Sequence, residues 1–417
     1  MEWKCKYSNY TMTEKDTVSP NHYGGSELRK TLQDMVEEGN TTYFTETEKE
    51  LMNSTTVTTR DEYKRPPDSQ CYDYTTTDKL YALAKGDGLN ASENKIIKAG
   101  TSDQTALNLD DYWDKFSGKF WVRTGYSSAK DQAHCAMWTT YEGPKCSTKT
   151  FDNVKKYYDV RPASNLNLSS VLFASSATAA TSEIVSGTIT SGTAMTLRWD
   201  GAEKAIGTVK YNDTNNTIAA CKDEAATGTV SLVVQSKDED NAWYYSVPVE
   251  GTIVVTAEQI EKAISSLNPA PDLNEDCEIW LETTIDNVTF AKKAVAEKFS
   301  VHYVDSVAVT DMNEPVGGNT FDTEAFCNTT GIATTTPAIT YSTTGENCDV
   351  DVTGNADWNT TYKATVTLAT YINGNDVYVF DDSVSATVDG ETLTDEFTPN
   401  PDGTLTVTKE FDIVNIG

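Results

Sequence analysis

The segment TYKATVTLAT, residues 361–370, decides the fold class of its part of the chain. Apolar and polar side chains alternate without a break from Tyr362 to Leu368. One face carries Tyr362, Ala364, Val366 and Leu368, and the other carries Lys363, Thr365 and Thr367. Such alternation is typical of a β-strand with one buried face. The sequence therefore predicts a sheet here and not a helix.

Strand patterns of the same kind fill the rest of the C-terminal part and are separated by turn residues such as Gly, Asn and Asp. In residues 176–297 they are TAMTLRWDG, AIGTVKYND, GTVSLVVQS, AWYYSVPVEG, CEIWLETT and VTFAKKAV, and in residues 298–417 they are VDSVAVTD, AITYSTT, DVYVFDD, SVSATVDG and GTLTVTKEFDIV. One helix interrupts them, because Thr256 and Gln259 form a capping box ahead of Ile260. The pattern predicts two all-β immunoglobulin-like sandwich domains, at 176–297 with the inserted helix and at 298–417.

The first 175 residues mix helix and strand patterns. Ser26, Thr45 and Thr77 are each placed to cap a short amphipathic helix. Aromatic-rich strands come later, in KFWVRTGY, HCAMWTTYEG and YYDVRPASNL. The stretch ASSATAATS at 174–182 is small, polar and without period, as in a linker. The sequence predicts an α+β domain at 1–175, so the whole chain is expected to be a multidomain protein.

Charge is distributed unevenly along the 417 residues. Residues 1–172 carry 22 basic and 25 acidic side chains, residues 173–417 carry 11 and 38, and the net charge is −30. The acidic part repels phosphate backbones and anionic membranes, so no nucleic acid partner and no direct membrane insertion are expected. The first ten residues lack the apolar segment of a signal peptide. We expect either a cytosolic protein or part of a longer one whose targeting and anchoring segments lie elsewhere.

The eight cysteines divide four, two and two among the predicted domains, and such even numbers favour disulfides. They are Cys5, Cys71, Cys135, Cys146, Cys221, Cys277, Cys327 and Cys348. Pairing within domains gives Cys221–Cys277 and Cys327–Cys348 and leaves three arrangements open in the first domain. The alternative is that some are buried thiols. No C-x-x-C pair occurs and the three histidines lie far apart, so no metal and no cofactor is expected.

Five separated motifs in the first 176 residues resemble a domain of unknown function found in repetitive surface proteins of gut Firmicutes. They are HYGGSELRKTL, FTETEKELMNSTTVTT, YTTTDKLYAL, YWDKFSGKFWVRTGY and VRPASNLNLSSVLFASSA, in that order. The segments TAMTLRWDG, WYYSVPVEGT and CEIWLETT resemble the β module that follows this domain, and DTEAFC, TYKATVTL and DGTLTVTKEF resemble the immunoglobulin-like module after it. The resemblance implies an extracellular or wall-associated bacterial protein.

The strands around WVR and VRP are also similar to the C-type-lectin-like core that is shared with formylglycine-generating-enzyme-type folds. The resemblance implies a lectin-like α+β fold for the N-terminal domain and places its ligand loops in the region that follows WVR. Family members read Trp-Leu-Arg-Ser-Pro where this chain has Trp121, Val122, Arg123, Thr124 and Gly125. This departure concerns the turn after the strand. No catalytic pattern is carried over by the resemblance.

Candidate ligand-binding residues lie in and after the WVR strand. Residues two apart on a strand share a face, so Trp121 and Arg123 are expected to project together and to hold a sugar or a carboxylate. Tyrosines and a tryptophan among small polar residues make 125–158 a candidate binding surface. The alternatives are a core Trp121, an Arg123 held by a structural carboxylate, and aromatics that only stabilise loops. The full set is Trp121, Arg123, Tyr126, Trp138, Tyr141, Tyr157, Tyr158 and Arg161.

Taken together, the sequence predicts a non-catalytic binding protein of the bacterial surface. Loops of the N-terminal domain are expected to bind a glycan or a host or bacterial surface protein, with the acidic β-sandwiches as spacers. One alternative is a structural subunit of a surface layer or adhesive assembly. A third is an enzyme, for which no motif such as G-x-S-x-G places His22, His134 or His302 next to a nucleophile.

Overall fold

The computed structural model describes two compact units, Met1–Ser169 and Ser170–Gly417. The residues described are 4–8, 20–65, 70–84, 89–90, 95–96, 119–139, 145–190, 193–238, 242–264, 267, 269–334, 336–344 and 351–411. Strands account for 50% of the chain and helices for 8%, in several sheets. This confirms a multidomain, β-rich protein. Among the described helices, none has both the length and the apolar character that crossing a membrane requires.

The described part of the N-terminal unit contains thirteen strands, five of which form its main sheet. Its strands are β1 (Lys4–Lys6), β2 (Met52–Asn53), β3 (Thr55–Arg65), β4 (Gln70–Asp78), β5 (Tyr81–Ala82), β6 (Leu89–Asn90), β7 (Lys95–Ile96), β8 (Lys119–Gly125), β9 (Gln132–Thr139), β10 (Lys145–Asn153), β11 (Tyr157–Asp159), β12 (Pro162–Ala163) and β13 (Asn165–Leu166). The sheet order is β1-β11-β8-β9-β10, with β8 and β11 parallel and the other neighbours antiparallel. Strands β3 and β4 form a separate hairpin.

Two of the predicted helices are confirmed. Helix α1 (Glu27–Asp34) begins after Ser26, whose Oγ accepts the backbone N–H of Arg29 at 3.0 Å. Helix α2 (Glu46–Glu50) begins with the predicted capping box, in which Thr45 and Glu48 each accept the backbone N–H of the other. Both caps satisfy N–H groups that a helix leaves without a partner in its first turn.

The helix predicted at Thr77 is wrong, because β4 continues as a strand to Asp78. The β-branched residues Thr75, Thr76 and Thr77 pair with β3, where such side chains pack better than in a helix. Asp78 is buried and accepts two hydrogen bonds from Arg29 of α1, with Nη2 to Oδ1 at 2.7 Å. This ion pair fixes the end of β4 against α1, a tertiary contact that the local pattern does not contain.

The first block of the C-terminal unit, residues 170–296, pairs a seven-stranded sheet with a four-stranded one. Its elements are β14 (Val171–Ser175), β15 (Val185–Thr188), β16 (Thr196–Asp200), β17 (Gly207–Asn212), β18 (Thr217–Lys222), β19 (Val230–Ser236), β20 (Trp243–Val249), β21 (Thr252–Thr256), α3 (Ala257–Ala263), β22 (Cys277–Ile285), β23 (Val288–Lys293) and β24 (Val295–Ala296). The orders are β14-β16-β23-β22-β19-β20-β15 and β21-β18-β17-β24. The predicted capping box of α3 is confirmed at Thr256 and Gln259.

The second block, residues 300–411, has two further sheets. Its strands are β25 (Ser300–Thr310), β26 (Phe326–Cys327), β27 (Ile339–Thr343), β28 (Asp351–Val352), β29 (Tyr362–Ala369), β30 (Ile372–Asn373), β31 (Asp376–Val388), β32 (Glu391–Thr392) and β33 (Thr404–Phe411). The orders are β26-β25-β31-β30, with β32 on β31, and β28-β27-β29-β33. The alternation of β29 is confirmed, because its four apolar side chains are at most 1% exposed.

The two blocks share a hydrophobic cluster. Ala219 of β18 packs with Phe299, Val377 and Val379, the last two from β31. Backbone also meets backbone at this junction, because Glu250 and Gly251 donate N–H groups to the carbonyl of Asp402 at 2.9 and 3.0 Å. The change of sheets at residues 297–299 therefore lies inside one compact unit, and we infer that the blocks stabilise each other.

A buried ion pair joins three strands of the seven-stranded sheet. Arg198 on β16 binds Glu282 on β22, with Nε to Oε2 at 3.1 Å, and both side chains are at most 4% exposed. Its guanidinium also donates to the carbonyls of Ser175 and Ala177, and the indole of Trp280 donates to Glu282. Burying two charges is costly unless each is well hydrogen-bonded, a condition that this network meets.

The predicted disulfide between Cys221 and Cys277 is wrong, because both are free thiols. Cys5, Cys135 and Cys327 are also free and buried, and Cys348 lies outside the described residues. Burial raises the pKa of Cys5 and Cys135 to about 11 and that of Cys277 to about 12. For these cysteines the alternative of buried thiols holds, since each occupies apolar volume inside a core.

We predict that Glu282→Ala destabilises the chain by about 3 to 5 kcal/mol, because Arg198 and the Trp280 indole keep their burial and lose their acceptor. Glu278→Ala is the control on the same strand. This variant removes an ion pair between Glu278 and Lys293, whose side chains are 42% and 48% exposed. The loss of unfolding free energy should be less than about 1 kcal/mol. Urea denaturation gives both values. Equal costs would show that the buried network is not specifically stabilising.

We predict that Gly403→Ala is more destabilising than Gly390→Ala by about 1 to 3 kcal/mol. The two glycines have the same left-handed backbone, with φ of +84° and +82°. A methyl group on Gly403 would lie 2.5 Å from the carbonyl oxygen of Thr252, whereas one on Gly390 would meet nothing within 4 Å. Backbone strain is the same in both variants, so the difference between their unfolding free energies measures the contact between residue 403 and Thr252. Equal values would contradict the close approach of the blocks.

Candidate functional site

Alternation along β1, β8 and β11 divides their side chains between two faces of the five-stranded sheet. Cys5 and Trp121 face the core, and Tyr158 packs against that core. Lys6 pairs with Tyr157 across β1 and β11, one residue away from the Cys5–Tyr158 pair, and therefore lies on the opposite face. We call this opposite side the outer face.

Trp121 lies in the core and is 1% exposed. Its ring meets Tyr7 edge to face at 5.5 Å and Tyr158 at 4.8 Å, and its indole N–H donates to the carbonyl of Cys5 at 3.1 Å. The expectation that Trp121 stacks on a ligand is therefore corrected, because the ring has no exposed surface to offer. The alternative of a core tryptophan describes its position.

Arg123 lies two residues after Trp121 on β8 and is buried, as are Phe120 and Val122 of the same strand. Arg123 as a whole residue is 5% exposed. Its guanidinium donates hydrogen bonds to the carbonyls of Ala82 at 2.9 Å and Thr58 at 3.4 Å. It also lies 5.9 Å above the ring of Tyr81. These two carbonyls belong to β5 and β3 and help to hold the guanidinium in its buried position. Arg123 thereby connects β8 to β3 and β5 and does not face a ligand.

The outer face carries three contacts that involve aromatic rings. The Lys6 ammonium lies 5.1 Å from the ring of Tyr157, and the Arg161 guanidinium lies 4.7 Å from that of Phe120. Tyr126 stacks on Phe151 at 3.8 Å and 10°. Tyr157 is 62% exposed and Phe151 is 40% exposed, so these rings present flat surface to solvent. We call the set the aromatic–cation face; its members are Lys6, Phe120, Tyr126, Phe151, Tyr157 and Arg161.

Asn21 holds the turn that positions Tyr126. Its side-chain amide is buried and donates to the carbonyls of Tyr126, Ala129 and Gln132 at 3.1, 3.2 and 2.8 Å. A side chain at Gly125 would begin 2.9 Å from the carbonyl oxygen of Asn21, so only glycine fits there. The close approach of Asn21 therefore accounts for the glycine at the end of β8.

Tyr158 and Asp152 form a polar cluster at the edge of the core. The Tyr158 hydroxyl donates to Asp152, which also pairs with Lys156 at 2.7 Å and Lys119 at 3.4 Å. Burial alone would raise the pKa of Asp152, but the hydrogen bonds from Lys156 and Tyr158 hold it below its ordinary value. Burial and the bond to Asp152 raise the pKa of Tyr158 above its ordinary value.

Two candidate residues lie partly or wholly outside the described part of the molecule. The backbone of Trp138 belongs to β9 and pairs with Cys146, but its side chain is among those not described, and Tyr141 lies outside the described residues. Lys6, Phe120 and Phe151 were missed by sequence reasoning. They join the face only through strand pairing, which the local pattern does not reveal.

The sequence also contains two short acidic clusters, at 110–114 and 238–240, whose carboxylates are oxygen ligands of the kind that calcium prefers. Asp238 is exposed, whereas Glu239, Asp240 and the Asp110–Asp114 cluster lie outside the described residues. Among the described residues, no group of three or more His, Cys, Asp or Glu could hold a metal ion. The aromatic–cation face is therefore the candidate site with the clearest geometry.

We predict that Asp152→Asn destabilises the chain at pH 7 and that this loss shrinks in acid. Because the folded pKa of Asp152 lies below its unfolded value of about 3.9, its contribution is full above about pH 4 and lost as the pH falls through the lower value. Urea midpoints at pH 7, 5 and 3 test this. Asp131→Asn, an exposed control, should show a small effect at every pH, and a constant deficit for Asp152→Asn would contradict the assignment.

A comparison of the chain with protein-family models, with curated proteins and with solved structures finds no match.

Proposed function

We propose that this chain is a non-catalytic binding protein of the bacterial surface, secreted or wall-associated, whose N-terminal unit binds a glycan or a surface protein. The observation that carries the proposal is the Lys6–Tyr157 pair of the aromatic–cation face, where a 62% exposed ring lies 5.1 Å from an ammonium group. The finer fold assignment belongs to the same proposal: a C-type-lectin-like N-terminal unit, followed by two immunoglobulin-like blocks. Its support is the mixture of helices and strands in the first unit and the paired sheets in the second.

The chemistry of the face suits a ligand that offers both a flat apolar surface and oxygen atoms. Tyr157 can stack on a sugar ring or on an aromatic side chain. Lys6, whose ammonium lies 5.1 Å from that ring, can donate to hydroxyls or carboxylates of the same ligand. Because the sheet fixes these side chains from below, little conformational entropy is lost on binding.

The C-terminal unit would serve as a spacer. From residue 173 onward the chain carries 38 acidic against 11 basic residues, so neighbouring copies repel one another and stay soluble. The shared hydrophobic cluster of its two blocks favours a stiff spacer over a flexible one. This charge also disfavours nucleic acid and anionic membranes as partners.

A second candidate function is a structural subunit of a surface layer or adhesive assembly. One observation favours it: exposed apolar side chains cluster on β14 and β16, at one edge of the seven-stranded sheet. Met195, Leu172 and Leu197 are 69%, 37% and 36% exposed. Apolar surface at a sheet edge is a common site of self-association.

We predict that Tyr157→Ala weakens ligand binding by at least about tenfold, the effect expected for loss of a central aromatic contact. The measurement is binding of the full chain to an array of oligosaccharides and bacterial and host surface proteins. Tyr43→Ala is the control, because Tyr43 is 37% exposed and lies outside the face. Unchanged binding in Tyr157→Ala would contradict the proposal. The assembly-subunit function would be favoured by two results together: no ligand on the array, and oligomers in sedimentation that Leu197→Asp dissociates.

A further inference from the structure

Trp358 in the second block differs from the other described tryptophans. Trp121, Trp199, Trp243 and Trp280 are at most 5% exposed, whereas Trp358 is 47% exposed. It lies in the loop that connects β28 to β29. Burying the indole would stabilise the fold through the hydrophobic effect, and an exposed indole does not contribute this stabilisation. Its position therefore calls for an explanation other than core packing.

One face of the Trp358 indole rests on bare backbone. A side chain on Gly317 would begin 2.4 Å from indole carbons Cδ2 and Cε3, and one on Gly318 would begin 3.7 Å from Cζ2. Glycine at 317 is thus required for the ring to lie flat against the chain. Because the residue is 47% exposed, the indole still presents flat apolar surface to solvent.

Hydrogen bonds hold the loop under the ring in one conformation. Gly318 N–H donates to the carbonyl of Ala356 at 2.8 Å, and the Asn355 amide donates to the carbonyl of Gly318 at 2.9 Å. The N–H of Asp357, next to the tryptophan, donates to the hydroxyl of Tyr362, which is 1% exposed in the core. The indole is therefore attached to a rigid support and is preorganised for contact.

The surroundings of the ring limit what can bind. Val316, at 54% exposure, adds apolar surface next to Gly317, and Asn319, Asp357 and Asn359 are exposed polar residues of the same two loops. The chain from residue 173 onward has 27 more acidic than basic side chains, so an anionic ligand would be repelled. A ligand with a flat apolar face, several hydroxyls and no negative charge fits these conditions.

We propose that Trp358 is a stacking platform for a pyranose ring of a neutral or amino sugar. This is a second binding site, independent of the aromatic–cation face and in the other unit of the chain. The apolar C–H face of a pyranose covers about the area of one indole, and its equatorial hydroxyls reach outward to Asn and Asp side chains. Two sites on one chain would bind a multivalent glycan more tightly than either alone.

The experiment uses full-length chains that carry Tyr157→Ala, so that the first site is silent. An array of neutral hexose, N-acetylhexosamine and hexuronate oligosaccharides is the probe. We expect binding to neutral or amino-sugar probes, a loss of at least about tenfold with Trp358→Ala, and a smaller loss with Trp358→Phe. Tyr303→Ala, which removes a 67% exposed ring from β25 of the same block, is the control and should bind unchanged.

A second measurement needs no variant. N-bromosuccinimide should oxidise Trp358 before the four buried tryptophans, and the bound oligosaccharide should protect it, as read by peptide mass spectrometry. Three results would overturn the proposal: no binding to any neutral or amino-sugar probe, equal binding by Trp358→Ala, or preference for hexuronates. Sedimentation that shows a dimer dissociated by Trp358→Ala would also overturn it, since a second copy would then cover the ring.

Discussion

The register of strand pairing in the five-stranded sheet determines both the core of the N-terminal unit and its candidate binding face. Side chains alternate along each strand, so β8 sends Trp121 to the core while its neighbour Phe120 lies on the other side beneath Arg161. A slip of one residue between β1 and β11 would exchange Cys5 with Lys6, placing a charge in the core. The burial of the core-facing residues, such as Cys5 and Trp121, thus determines that Lys6 and Phe120 lie on the opposite face of the sheet.

Local patterns were sufficient wherever neighbouring residues decide the structure. The alternation of β29 and the caps at Ser26, Thr45 and Thr256 are correct because each depends on contacts within a few residues. The helix at Thr77 failed because a distant partner, Arg29, holds the end of β4. Local sequence offers no means of finding such a partner.

The candidate site shows the same limit. Alternation predicted one shared face for Trp121 and Arg123, but the pairing of β8 with β9 shifts register between Trp121 and Gly125. The burial of both side chains depends on elements far away in the chain, such as β5 and the segment around Tyr7. The even number of cysteines also misled, since Cys221 and Cys277 share a predicted domain and yet are both free thiols. The composition of the sequence singled out Tyr157, which is exposed, and Tyr126, which is half-buried. Their partners Lys6 and Phe151 could be found only from the pairing of the strands.

The buried thiols have a consequence for where the chain can exist. Disulfide exchange and oxidation proceed through the thiolate, and a pKa of about 11 leaves only about one molecule in ten thousand ionised at Cys135 at pH 7. Enclosure in the core also keeps oxidants and other thiols from reaching the sulfur. The described cores should therefore be indifferent to redox potential, keeping the same packing on either side of a cell envelope.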